Sequence, residues 1–524
     1  MLRRTALPRA SPVRSTGGML ARIRSGALRG IDAIVVEVEV DVAPGLPQTT
    51  TVGLPDGAVR EGRDRIRAAL RNSGFDYPQR RITVNLAPAG VRKEGAAFDL
   101  PIALAILAAE ARPPLPDLGG CCALGEVGLD GRVHAVRGAL SVAAAARAAG
   151  LASLLVPAAN AAEAALARGP TVIGVATLAE AVAHLRGEAA IAPTTVDAQG
   201  LLATASPDAG DLADVRGQEH ARRALEVAAA GQHNVLLLGP PGSGKTMLAR
   251  RLPSILPPLG LDEAIEVTAI HSVAGLLGDR PLVGVRPVRA PHSSISDAAL
   301  LGGGMPVRPG EVTLAHRGVL FLDELPEFRR NALEPLRQPL EDRRVTVARG
   351  SGTVTFPADV LLVAAMNPCP CGWLGDASDR CRCPPPAIAR YRSRVSGPLL
   401  DRIDLHVEVP RVPVGLLGDD EARGEASAAV RARVEAARAR QRARGRWLDA
   451  QLPPRELRRL CPLDARGRQL LEVASERLGL SARGYTRIVR VARTIADLAG
   501  EERITTTHLA EAVQYRSLDR AGFR

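Results

Sequence analysis

The chain has 524 residues, 46% of them hydrophobic and 24% charged, the make-up of a globular protein with room for about three domains. Its formal charge of +12 points to an acidic partner, nucleic acid first, while an aromatic content of 2% argues against recognition by stacked aromatic platforms. No run reaches the roughly eighteen apolar residues that a membrane span needs, and seven cysteines in so long a chain fit a reduced, cytoplasmic protein rather than a disulfide-built one.

Residues 1–18 carry Arg3, Arg4, Arg9 and Arg14 without an acid. They read as a disordered extension ahead of Met19, although an Arg/Ser-rich start also imitates a transit peptide. Residues 19–187 read as an α/β domain. Val36–Val42 alternates at period two, as a half-buried strand does. Alanine-rich helices follow near 60–72, 100–111 and 139–149, with a short apolar strand at Ser153–Pro157. The segments Val91–Pro101, Gly125–Val133 and Val136–Leu140 resemble the proteolytic domain of Lon proteases, which implies that domain's fold here. That family attacks with a serine–lysine pair. An ungapped reading puts Ala97 and Leu140 at those positions, and no lysine lies between Lys93 and Lys245. The expectation is the Lon-like fold without its chemistry. Two readings of Lys93 stand, a partner contact or a loop cap. Residues 188–212, small, polar and punctuated by Pro and Gly, read as a linker.

A P-loop domain with a parallel sheet is expected over 213–410, opening at Ala213–Glu219. Asn234–Leu238 is an apolar strand, Gly239-Pro240-Pro241-Gly242-Ser243-Gly244-Lys245-Thr246 follows, and Met247–Leu252 reads as a helix. Strand, glycine loop and helix is the setting in which this motif cradles the phosphates of ATP. Lys245 would reach the β- and γ-phosphates and Thr246 the Mg²⁺. The chain's only lysines are Lys93 and Lys245, so one of two occupies the place where a guanidinium does not substitute.

Gly318–Glu324 is a buried strand ending in two acids. Asp323 would hold Mg²⁺ and Glu324 would orient and deprotonate the attacking water. Val360–Met366 is a third apolar strand, and Asn367 after it is placed to sense the γ-phosphate. Polar groups at the carboxyl ends of three strands match where open parallel sheets bind ligands. Two basic insertions interrupt these elements. Arg344–Phe356 reads as a β-hairpin turning at Gly350–Gly352, with Arg344 and Arg349 in its first arm. The stretch 278–311 is loop-rich and holds Arg280, Arg286, Arg289 and His292. Either tracks phosphates in a pore or is a solvated surface.

Cys369, Cys371, Cys381 and Cys383 form two C-x-C pairs, read either as a Zn²⁺ knuckle or as reduced structural thiols. Arg402 follows the active end of the sheet, as an arginine finger or as a salt-bridge partner of Asp401 or Asp404. Residues 411–450 read as a basic helical connector. Arg431, Arg433, Arg438, Arg440, Arg442, Arg444 and Arg446 there suggest a solvated face or a phosphate contact. Residues 451–524 read as a helical lid in which Arg483, opening a helix, would enter the nucleotide site.

The P-loop, Leu322–Phe328, Asn367–Gly372 and Ser396–Leu405 together resemble the magnesium-chelatase-like AAA+ ATPases of the YifB/ComM family, from about Met19 to the C-terminus. That family usually has paired histidines where this chain has His292-Ser293. The resemblance implies a homo-hexameric ring with ATP and Mg²⁺ between subunits, completed by Arg402 and Arg483. It also implies ATP-driven branch migration of single-stranded or branched DNA during natural transformation. Two rivals stand: a metal-chelatase motor that needs no DNA, and a chaperone-like remodelling ATPase whose N-terminal domain recruits a protein partner.

Overall fold

The computed structural model describes residues 19–110, 113–206, 209–349, 352–376, 380–413 and 424–516. The expected extension at 1–18, the hairpin tip at 350–351 and the stretch 414–423 lie outside them. The chain divides into two compact units. One runs to Asp197 and takes in His271–Pro281; the other holds Ala198–Ile270 and Leu282 onward. The division falls inside the stretch read as a linker, where Ala198–Ala203 is a helix belonging to the second unit. His271–Pro281, expected in the P-loop domain, belongs to the first unit because its Ser272 is bonded there. The Ser272 hydroxyl accepts from Gly138 N (2.9 Å) and donates to the Glu163 carboxylate.

The first unit is built on a seven-stranded mixed sheet. Its spatial order is Gln48–Val52, Arg81–Ala87, Asp32–Ala43, Met19–Arg29, Cys121–Ala123, Ser153–Pro157 and Thr171–Val175. Val36, Val38, Val40 and Val42 are buried while Glu37, Glu39 and Asp41 between them stay half-buried, as a period-two pattern requires. The expected helices appear as Gly57–Asn72, Asp99–Glu110 and Ala139–Ala148. Asp99–Glu110 is apolar almost all round and so lies inside the core.

The second unit centres on a five-stranded, all-parallel sheet in the order Val288–Arg289, Val319–Leu322, Leu361–Met366, Val235–Leu238, Leu405–Glu408. The P-loop strand thus lies between the last two strands in sequence. In register, Leu238 faces Met366 and Leu322 faces Ala364, so the residues after these strands emerge along one edge. The edge strand Val288–Arg289 falls in the stretch read as loop. Two residues carry no periodicity to detect.

The helices Ser427–Arg444, Ala465–Leu478, Ala482–Ala499 and Thr506–Gln514 do not form a separate core. Val430, Val434, Ile488, Val491 and Ile495 join one continuous apolar cluster with the sheet residues Val235, Leu237, Val363 and Leu405. The arginine run proves largely structural, and the reason is the ends of neighbouring helices. Each helix leaves its last four carbonyls without partners. Arg431 donates to Ser254 O (2.6 Å) at the end of Lys245–Ile255, and Arg438 donates to Ala229 O (2.7 Å) at the end of Glu219–Gly231. Arg440 donates to Asp497 O (2.9 Å) at the end of Ala482–Ala499. Arg433 pairs with Glu226 and Glu425, and Arg444 with Asp497 and Asp449. Five of the seven candidates for a phosphate-facing stripe therefore tie helices together. No helix among the described residues is long and apolar enough to cross a membrane.

Candidate active site

The loop Gly239–Thr246 leaves the central strand and turns into the helix Lys245–Ile255. Gly244, the residue before that helix, has φ of 93°, a conformation that a side chain strains. The loop, the carboxyl ends of the neighbouring strands and the stretch before Glu219 enclose a cavity of ≈ 990 Å³. It is lined by Pro241, Gly242, Ser243, Gly244, Lys245, Thr246, Asp323, Glu324 and Asn367, which brings together most of the residues expected there.

Lys245 is buried, and its ammonium donates to Gly239 O (2.7 Å), Pro240 O (2.8 Å) and Asn367 Oδ1 (3.2 Å). Burial lowers its pKa from the ordinary lysine value, against the opposing pull of Asp323 and Glu324. Gly239 and Pro240, expected to bind phosphate, instead offer their carbonyls to this ammonium and do not line the cavity. The Thr246 hydroxyl donates to Asp323 Oδ2 (2.8 Å), and Asp323 Oδ1 accepts from Glu324 N (2.9 Å). Glu324 stands at φ 53°, ψ 48°, the left-handed region where a non-glycine residue is strained. That turn leaves the carboxylate exposed at the cavity wall rather than folded back on its strand. The site's donors fit a magnesium nucleotide: a hydroxyl and a carboxylate in contact suit a hard divalent cation, and a backbone cradle beside one ammonium suits phosphates. The Ser243 hydroxyl adds to the fit, being buried in the loop with no hydrogen-bond partner.

Asp214, Arg216, Gln218, Arg411 and Val412 also line the cavity and were not anticipated. Gln218 braces it, donating to Pro410 O (2.6 Å) and Ser243 O (3.3 Å). The only signal in the sequence is their position just before the first helix and just after the last strand.

Arg402 and Arg483 do not line the cavity. Arg402 is buried and donates to Pro398 O (2.6 Å) and Arg337 O (3.1 Å). Its ion-pair partner is Glu341 (2.8 Å), not Asp401 or Asp404. Asp404 is instead paired with Arg487. Arg483 is the second residue of Ala482–Ala499, whose N-cap is Ser481, and it reaches the same Glu341 at 3.9 Å. The lining of this chain's own cavity lacks Arg483, and the expectation of a site completed between subunits concerns a neighbouring chain's cavity. Both arginines gather around one carboxylate elsewhere on the unit.

Lys93 resolves as a loop cap: it is fully buried and its ammonium is bonded to Gly53 O (2.9 Å) and to Pro88 O. Ala97 sits in the short turn Ala96–Phe98 and Leu140 is buried near the start of Ala139–Ala148. Of the basic loop, Arg286 is held by Pro257 O, Arg317 O and Glu263, and Arg289 by Glu311, so neither is free for a phosphate. The hairpin is present as Arg344–Arg349 paired antiparallel with Gly352–Pro357. The four knuckle cysteines lie together, their sulfurs all within 4.8 Å of one another.

Three family descriptions match the chain: "Magnesium chelatase, subunit ChlI" over residues 211–416, "Subunit ChlI of Mg-chelatase" over 38–160, and "Magnesium chelatase, subunit ChlI C-terminal" over 424–516. The protein YifB of Salmonella typhimurium is 44% identical over 502 residues, covering 96% of this chain and 98% of its own. The chain belongs to the YifB/ComM family of magnesium-chelatase-like proteins. Competence protein ComM of Haemophilus influenzae matches equally broadly, 44% identical over 502 residues with 96% and 98% covered. Lon protease 2 of Bacillus subtilis is 33% identical over 153 residues, a quarter (25%) of each chain. The family is of the AAA+ type, with which the parallel sheet and the C-terminal helices agree.

If Glu324 serves as the base, its amide variant separates binding from turnover. Glu324→Gln is expected to bind ATP as the parent does while slowing hydrolysis by about 10²–10⁴-fold. A single-turnover assay beside a nucleotide-binding titration checks this, and parental turnover would remove Glu324 from the role.

Proposed function

We propose that this chain is an ATP-hydrolysing motor, assembled as a homo-hexameric ring, that moves DNA as a branch-migration helicase when incoming DNA is recombined. The observation that carries the ATPase reading is the convergence of Lys245, Thr246, Asp323, Glu324 and Asn367 on one cavity. Bound ATP would supply the phosphoryl group that water accepts, and Mg²⁺ the charge that steadies it in transfer. The chain's own part is to bind, orient and move a proton. Backbone N–H groups of Gly242–Thr246 and the Lys245 ammonium hold the phosphates, while Thr246 and Asp323 present oxygens to the cation. Asn367 orients water at the γ-phosphate, and the Glu324 carboxylate takes that water's proton.

The DNA reading is supported by the name of the Haemophilus relative, by the net charge, and by the hairpin, whose Arg344 and Thr346 are exposed. The first unit reads as a Lon-like fold without proteolysis, supported by its partial identity to a Lon protease and by Ala97 and Leu140, which offer neither nucleophile nor base. The chelatase descriptions favour a second reading, a metal-chelatase-type motor that remodels a protein partner and needs no DNA.

Steady-state ATPase without DNA, with single strands, with duplex and with a branched junction separates the two. Stimulation of about tenfold by single-stranded or branched DNA, falling off with salt and lost in Arg344→Ala, is expected of the helicase. A rate indifferent to every DNA would transfer the reading to protein remodelling.

A further inference from the structure

The strand Leu361–Met366 runs into Asn367 at the nucleotide cavity, and two residues later Cys369 opens a cluster of four thiols. Cys369 Sγ lies 3.4 Å from Cys371 Sγ and 3.7 Å from Cys381 Sγ, and Cys371 Sγ lies 3.7 Å from Cys381 Sγ. Cys383 completes the group within 4.8 Å. Four sulfurs bound to one tetrahedral ion at about 2.3 Å stand about 3.8 Å apart, close to the 3.7 Å of two of these pairs and somewhat wider than the 3.4 Å of the third. All seven cysteines are free thiols, and the other three lie outside this group. A mixed assortment of solvated thiols has no reason to converge from two C-x-C pairs on one point.

We propose that Cys369, Cys371, Cys381 and Cys383 hold a single Zn²⁺ as a closed tetrathiolate site that rivets the segment after Asn367 to the phosphate loop. Four protein ligands leave no open position, so the ion is structural rather than catalytic. Four thiolates around Zn²⁺ carry a net charge of about −2, which needs cationic surroundings. Arg380 and Arg411 both lie over the Trp373 ring, at 5.0 and 5.3 Å, and Arg392 donates to Pro368 O beside Cys369. Two contacts carry the rivet to the nucleotide cavity. Gly372, in the turn closed by its N–H to Cys369 O (3.0 Å), lies so near the P-loop that an added Cβ would meet Pro241 Cδ at 2.5 Å. Arg411, stacked on Trp373, lines the cavity itself.

The zinc assignment is independent of the ATPase reading; only the consequence for nucleotide affinity rests on it. The test uses the full chain purified in reducing buffer without chelator. Elemental analysis is expected to find about one zinc per chain, with cobalt exchange giving the visible ligand-field bands of a tetrahedral tetrathiolate. Cys371→Ser and Cys383→Ser should each reduce the zinc to under about a tenth of an equivalent. Reversible removal from the parent chain by a chelator avoids any folding defect of the variants. It should expose four further thiols to alkylation and weaken binding of a fluorescent ATP analogue by about tenfold, both restored by Zn²⁺. Metal-free protein with these four thiols reactive, iron in place of zinc, or a disulfide within the group would each overturn the site. If zinc is present but its removal leaves nucleotide affinity unchanged, the rivet is wrong. If the zinc-loaded chain binds no nucleotide at all, it is the ATPase reading that fails.

Discussion

Lys245→Ala is expected to abolish measurable ATP turnover and to weaken nucleotide binding by about 10²-fold or more, while the chain folds normally. The size follows from what is removed: a charge-assisted contact to phosphate inside a partly desolvated cavity is worth about 3 kcal/mol or more. Folding should survive because Lys245 itself lines an open cavity, so water can enter the space its side chain leaves. Gly239 O, Pro240 O and Asn367 Oδ1 lose the ammonium but gain water. The lowered pKa of Lys245 does not cost it its charge in use, since phosphate oxygens would oppose the burial that lowers it. Lys245→Arg should not rescue the site. A planar guanidinium is too wide to sit between two loop carbonyls and a side-chain amide and still reach the phosphates. Titration with a fluorescent ATP analogue, run beside a thermal melt, measures both halves. Parental affinity in a folded Lys245→Ala chain would sink the nucleotide assignment.

The parts of this site that were legible in the sequence are those whose meaning is local. A glycine loop between a strand and a helix, two acids at the end of an apolar run, and an amide at the end of another each carry their chemistry within a few residues. Their meeting in space then follows from the parallel sheet, whose registered ends deliver all three to one edge. The cysteine pairs were legible in the same way. Only their convergence needed coordinates.

What could not be read are roles set by partners far along the chain. The arginines from 431 to 444 look like a cationic stripe because charge is visible in a sequence and carbonyls at helix ends are not. Arg438 and Ala229 are separated by 209 positions, and nothing in either neighbourhood names the other. The same holds for Arg286, which is spent on Pro257 O and Glu263. Each such arginine removes a candidate phosphate contact, so the charge of +12 overstates what is available for nucleic acid. Arg344 on the hairpin remains exposed and is the better place to look.

Arg402→Ala is expected to lower turnover by about 10³-fold or more without a matching loss of nucleotide affinity, as removal of an arginine finger does. The structure makes this a demanding prediction. Arg402 is only 5% exposed and engages Glu341 and two carbonyls, so its loss also strips three acceptors of a partner. A fall in activity alone would not tell a finger from a brace. Mixing does. Neither Lys245→Ala nor Arg402→Ala should turn over ATP alone. In a head-to-tail ring assembled from both, roughly a quarter of the interfaces would pair an intact P-loop with an intact neighbouring arginine. Activity should return to about that fraction. If the site is shared, the contacts of Arg402 and Arg483 with Glu341, away from their own chain's cavity, would give way to a neighbour's phosphates. Glu341→Gln should then leave the mixture competent. A mixture as inactive as its components would place Arg402 among the bracing arginines and confine the site to one chain.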